Sequence, residues 1–184
     1  MRIQRKLAPE LTQRLTSDNR IVLIYGPRQS GKTTLCREVI ETTGLRALQL
    51  NGDDPETVAR LTDPTMKTLE GLTAGYELVF IDEAQRIPEI GLTLKRLHDS
   101  FSGLRLLVTG SSSLELASKT REALTGRTWT YALFPIACCE LSQTLNDHEL
   151  DSRLDELLVL GAYPALFSIP GRDDRIAHIR ELAQ

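Results

Sequence analysis

Cysteine is scarce in this chain of 184 residues, with three in all, Cys36, Cys138 and Cys139. An odd count without a C-x-x-C pair excludes a disulfide framework, and two adjacent cysteines are badly placed to bridge one another or to share a zinc ion. All three are read as small apolar fillers in a reducing compartment. Histidine is equally sparse, and His98, His148 and His178 are too scattered to form a metal cluster, so they are expected to face solvent. No apolar run approaches the ~18 residues of a membrane span, and the N-terminus is too polar for a signal peptide, so a cytoplasmic protein is expected. Neither sign of charge is in large excess, with 22 Lys and Arg against 25 Asp and Glu. A formal net charge of −3 provides no global drive toward nucleic acid. The local cluster of Arg2, Arg5 and Lys6 reads as a solvated helix face. What is present, 41% apolar and 26% charged residues, suits one α/β core with a small appendage.

The most informative stretch is Gly26-Pro27-Arg28-Gln29-Ser30-Gly31-Lys32-Thr33-Thr34. It follows the apolar run Ile21 to Tyr25 directly and opens a helical pattern from Lys32 to Ile40, which is the context a phosphate-binding loop requires. Glycine at both ends lets the backbone wrap a polyphosphate with its N–H groups pointing inward. Lys32 then reaches the β- and γ-phosphates, Thr33 offers a hydroxyl to Mg²⁺, and the helix directs its positive end at the anion. The predicted ligand is a nucleoside triphosphate with Mg²⁺, cradled by residues 26–34.

Leu78-Val79-Phe80-Ile81 reads as a strand buried on both faces, ending in Asp82-Glu83. An acid at that end faces the ligand crevice of an open α/β sheet, so Asp82 is expected to hold the metal and Glu83 to polarise the attacking water. The competing reading is a pair of acids capping the next helix. A further strand, Leu104 to Val108, leads into Thr109-Gly110-Ser111-Ser112-Ser113. Thr109 and its neighbours either sense the γ-phosphate or form a turn with a Ser cap for a helix over 114–119. Arg127, before the last strand (Trp129 to Phe134), is the first candidate for an arginine delivered to the γ-phosphate from the same chain or a neighbour, with Arg121 and Arg28 as competitors.

Together, the phosphate loop, Phe80-Ile81-Asp82-Glu83-Ala84-Gln85, Thr109-Gly110-Ser111-Ser112 and Leu124-Thr125-Gly126-Arg127 resemble the AAA-type ATPases of a largely uncharacterised prokaryotic family. Its members join an N-terminal ATPase domain to a C-terminal domain of unknown function. Phe134-Pro135-Ile136 with Glu140-Leu141, and Leu160-Gly161-Ala162-Tyr163-Pro164, are similar to two further signatures of that family. Ala162 and the Cys138-Cys139 pair depart from it. The resemblance implies a P-loop NTPase sandwich with a parallel sheet in the order 5-1-4-3-2. It implies ATP as nucleotide, the roles given above for Lys32, Thr33, Asp82, Glu83 and Arg127, and contact of Gly161 and Pro164 with the base.

The remaining pattern is consistent with this. Ile3, Leu7, Leu11 and Leu15 predict an N-terminal amphipathic helix, and Ala47 to Leu50 a second strand. Asp54-Pro55 predicts a capped helix start, and Ile90, Leu94, Leu97 and Phe101 the buried face of another helix. Residues 1–144 form the expected ATPase domain and 145–184 a helical lid, with Leu150, Leu154, Leu157 and Leu158 on its apolar face. The helical pattern runs to Gln184 without a stop signal, so a continuation carrying an effector domain is expected. The function expected is an Mg²⁺-dependent ATPase, with a nucleotide-gated switch and a small-molecule kinase as alternatives. Homo-oligomers are allowed for.

Overall fold

The computed structural model describes residues 3–111 and 123–182. Five parallel strands form one sheet: β1 (Ile21–Gly26), β2 (Ala47–Asn51), β3 (Leu78–Asp82), β4 (Arg105–Ser111) and β5 (Thr128–Ala132), in the order β2-β3-β4-β1-β5. This is the expected 5-1-4-3-2 read from the other edge. β4 lies between the loop-bearing β1 and the acid-bearing β3, so the ends of all three open on one crevice.

Alternating residues of the central strands feed two cores. Ile21, Leu23, Val79, Ile81, Leu106 and Val108 pack on one face with helices α3 (Pro55–Leu61), α4 (Met66–Thr73) and α5 (Ile90–Ser100). Val22, Ile24, Leu78, Phe80 and Leu107 pack on the other with α1 (Ala8–Ser17) and α2 (Lys32–Thr43). Both faces are covered, which is why these strands read as unbroken apolar runs.

Some boundaries differ from the sequence expectation. β4 continues through Thr109 and Gly110 to Ser111, because Tyr25 and Gly26 of β1 pair with Gly110 and Ser111. β5 stops at Ala132 and leaves Phe134 67% exposed. The N-terminal helix begins only at Ala8, with Pro9 in its first turn, and Ile3 packs elsewhere. Helix α4 has no counterpart in the sequence expectation. Its start is fixed by the Thr65 hydroxyl, which accepts from Thr68 N at 3.2 Å.

Beyond the sheet come α6 (Cys138–Leu141), α7 (Asp147–Leu160) and α8 (Arg172–Leu182). A small third core gathers Ile136, Leu141 and Leu145 with Ile3, Leu150, Leu157, Ala162 and Phe167. The predicted lid face is therefore corrected: Leu150, Leu157 and Leu160 turn inward, while Leu154 and Leu158 are 46% and 75% exposed. At ~100° per residue, 154 and 158 fall on the opposite flank from 160. The cysteine reading is also corrected. Cys36 is buried, and burial raises its thiol well above its ordinary range, but Cys138 and Cys139 are exposed.

Candidate nucleotide site

The phosphate loop leaves β1 at Gly26 and enters α2 at Lys32. Its two glycines serve different needs. A Cβ on Gly26 would lie 2.1 Å from the Leu133 carbonyl oxygen, so this glycine admits the chain that leaves β5. Gly31 instead has φ +94°, a left-handed conformation that starts α2. Gln29 and Glu83 are non-glycine residues with positive φ, 58° and 49°, and both border the crevice. Such strain persists where the surroundings enforce it and clusters at functional sites.

Lys32 is buried, and its ammonium donates to Gly26 O at 3.0 Å and Pro27 O at 2.8 Å. Burial holds it below its ordinary pKa, against the opposing pull of Glu83 and Asp82. Ser30 is buried within the loop, and its hydroxyl oxygen has no partner among the described residues. Thr33 Oγ1 donates to Asp82 Oδ2 at 2.8 Å across 49 residues of sequence. That bond joins the loop to the end of β3.

Thr109 donates to Asp82 Oδ1, and its oxygen accepts from Glu83 N at 3.3 Å. Its hydroxyl is thus committed to the two acids. Glu83 does not cap a helix with its side chain. Gln85 bridges instead, donating from Nε2 to Glu83 Oε2 and accepting from Ser111 N at 3.1 Å. Gly52 lies against this corner, donating to Asp82 O at 2.8 Å. A Cβ there would meet Glu83 O at 2.3 Å.

Two cavities flank the loop. One, of about 440 Å³, is bordered by Gly31, Thr34, Leu35, Ile136, Pro164 and Phe167. Of the two expected base contacts, Pro164 lines this cavity, whereas Gly161 borders a separate crevice between α7 and α8. The other, of about 340 Å³, is polar and lies among Arg28, Asp53, Glu83, Arg86 and Glu181. His178 of α8 reaches over the loop, with Nε2 2.7 Å from Gln29 Oε1, so this histidine is not simply solvent-facing. Arg28 and Gln29 are exposed at the mouth.

Arg127 is not brought to this crevice. Its carbonyl accepts from Ile21 N at the start of β1, the opposite end of the strand from Gly26. Five residues of strand at ~3.3 Å each separate it from the loop by about 17 Å. Its guanidinium pairs with Asp99 through Nε at 2.8 Å and Nη2 at 3.2 Å, drawing that carboxyl down to about 2. Ser112, Ser113, the helix expected over 114–119 and Arg121 lie outside the described residues.

Arg5 also departs from expectation. It is 9% exposed rather than solvated, and its Nε donates to both Glu140 oxygens, at 3.2 and 3.1 Å. Burial by itself would raise the Glu140 carboxyl. The N–H groups of Ala137 and Lys6 and the Arg5 charge bring it below its ordinary value. The sequence carried Glu140 and Gln85 only as members of short motifs, and pairs 135 residues apart leave no local trace.

The profile of an AAA domain matches residues 18–142. The chain belongs to that family. The uncharacterised proteins Rv2008c of Mycobacterium tuberculosis and Mb2031c of Mycobacterium bovis are each 34% identical over 178 residues, 96% of this AAA chain and 37% of theirs. The chain thus spans little more than a third of the curated relatives it matches. Among solved structures, the ORC1 protein of Aeropyrum pernix, in complex with DNA, superposes with a TM-score of 0.53 at 12% identity, over 85% of this chain and 50% of that one. This likeness is one of fold, the P-loop NTPase sandwich. Membership in the AAA family makes nucleotide binding and ATPase chemistry the general function. No helix among the described residues is long and apolar enough to cross a membrane.

Proposed function

We propose that this chain binds ATP with Mg²⁺ and hydrolyses it to ADP and phosphate, coupling turnover to movement of the lid. The observation that carries the reading is the Thr33–Asp82 hydrogen bond, which joins the lysine-bearing loop to the acid pair of β3 in one crevice. The loop N–H groups and Lys32 bind the β- and γ-phosphates, and Lys32 balances charge as the bond to the γ-phosphorus breaks. The Ser30 hydroxyl, without a partner among the described residues, adds a donor inside the loop. Glu83 orients a water in line with the γ-phosphate and takes its proton, so that the water oxygen bonds phosphorus as ADP leaves.

The Thr33 hydroxyl and the Asp82 carboxylate are hard oxygen donors that fit Mg²⁺. Among the described residues no group of three or more His, Cys, Asp or Glu side chains gathers for a metal. Mg²⁺ is ordinarily held by one or two protein oxygens together with substrate phosphates and waters. Magnesium, when bound, supplies charge neutralisation at the β- and γ-phosphate oxygens. The base is assigned to the 440 Å³ cavity, where Pro164 and Phe167 of the lid meet Leu35 and Ile136. This links nucleotide to lid.

One observation favours a second reading, a nucleotide-gated switch. Gln85 occupies one Glu83 oxygen, so hydrolysis is slow until that contact is released. Arg127 lies at the far end of β1 from its own loop and is paired with Asp99, so a role for it at a nucleotide would require a neighbour's site in a homo-oligomer. A cytoplasmic location and an effector region in the rest of a longer protein complete the reading.

The test is phosphate release from Mg-ATP over a hundredfold range of protein concentration, beside Glu83→Gln. Turnover that disappears in the variant while ATP still binds is the expected result. Binding without turnover in either protein selects the switch, and turnover that survives Glu83→Gln refutes the role of Glu83.

A further inference from the structure

Arg5 is a buried cation whose donors are spread over three segments of chain. Besides the Glu140 carboxylate, Nη1 donates to Ser30 O at 2.8 Å and Nη2 to Phe134 O at 2.6 Å. Glu140 is itself fixed, accepting from Lys6 N at 2.8 Å and Ala137 N at 3.0 Å. A guanidinium is planar and directs its N–H groups in a fixed fork, so an anchor at Nε sets where Nη1 points.

Ser30 O belongs to the Ser30–Gly31 peptide, in the middle of the phosphate loop. The peptide is planar and trans, so its C=O and N–H point in opposite directions. Drawing the carbonyl outward to Arg5 therefore turns the Gly31 N–H the other way. Gly31 has no side chain to resist rotation of this peptide, and its φ of +94° shows how far it departs from helix. Without a partner on its outer side, a flipped peptide would put a carbonyl oxygen where an anion must bind.

We propose that Arg5 is a positioning residue of the phosphate loop: anchored by Glu140, it holds the Ser30 carbonyl outward and so keeps the Gly31 N–H turned toward the phosphates. This rests on the nucleotide reading above and deepens it. It also assigns work to the Phe134…Glu140 signature, whose two ends are both bonded to Arg5. Arg5 touches no reacting atom; it acts through one peptide.

Affinities of the wild-type chain, Arg5→Met and Arg5→Lys for Mg-ADP and for AMP, by titration calorimetry, test this. AMP lacks the β-phosphate that the loop grips, so the ADP-to-AMP affinity ratio reports the loop and not general integrity. Losing a charged hydrogen-bond donor is expected to lower ADP affinity about tenfold or more in Arg5→Met, with AMP affinity nearly unchanged. Arg5→Lys keeps a charge beside Glu140 without the directed fork and should lie between. If Arg5→Met does not fold, Arg5→Lys answers alone: an ADP-to-AMP ratio equal to wild type overturns the proposal. Equal loss of both ligands also overturns it, since Arg5 would then only shape the cavity. A wild-type chain that binds neither ligand refutes the nucleotide reading itself, and the proposal with it.

Discussion

Replacing Gly52 by alanine adds one methyl group at the corner where β2 meets the acid pair. The new Cβ would lie 2.3 Å from Glu83 O and 3.0 Å from Glu83 C, with Arg86 Cβ at 3.2 Å. Ordinary carbon–oxygen contacts begin near 3.3 Å, so the Glu83 peptide must retreat by about 1 Å. It cannot retreat freely. Glu83 O accepts from Arg86 N at 3.0 Å, and Gly52 N is bonded to the preceding carbonyl, Asp82 O. Overpacking of this kind costs about 1–3 kcal/mol of stability. A general base displaced by about 1 Å loses roughly a hundredfold in rate. The loop at residues 26–34 is untouched, so kcat should fall about a hundredfold while ATP affinity stays within a factor of two or so. Gly71→Ala is the matched control. It lies inside α4, and an added Cβ there meets nothing within 4 Å. Alanine should stabilise that helix by about 0.5–1 kcal/mol and leave turnover alone. Steady-state kinetics with a thermal melt separates the two effects. Wild-type kcat in Gly52→Ala would refute the argument that Glu83's backbone position limits the chemistry.

Two further outcomes follow from the same geometry. Arg127→Ala should leave turnover per molecule unchanged in dilute protein, because its backbone lies at the opposite end of β1 from the loop and its guanidinium is paired with Asp99; a loss confined to high protein concentration, seen in a dilution series, would identify a neighbour's site as its target. The Glu140 carboxyl is held below its ordinary value, so its contribution to stability is fully present above the unfolded pKa of about 4.3 and is lost as pH falls through the folded one. Glu140→Gln should therefore be less stable than wild type at pH 7 and converge with it in acid, as melting temperatures from pH 7 to 3 would reveal.

Features that depend on neighbours along the chain can be read from the order of the residues. A strand buried on both faces must be apolar throughout, and a left-handed residue before a helix favours glycine. Hence β1, the loop and β3 with its acids were legible, as was the capped start of α3 at Asp54, whose side chain accepts from Glu56 N and Thr57 N. Tertiary structure alone decided which distant groups meet. Arg127 and Glu83 both flank strands, but parallel pairing puts one at the start of the sheet and the other at its end. Arg5 looked like part of a solvated basic cluster until folding gave it the Glu140 carboxylate and the carbonyls of Ser30 and Phe134. Leu158 carried the spacing of a buried face, and the direction from which the lid core approaches α7 left it in water. Local pattern reports the preference of a residue for burial or turn. Whether a charge ends paired, or an apolar face covered, depends on what the rest of the chain brings to it.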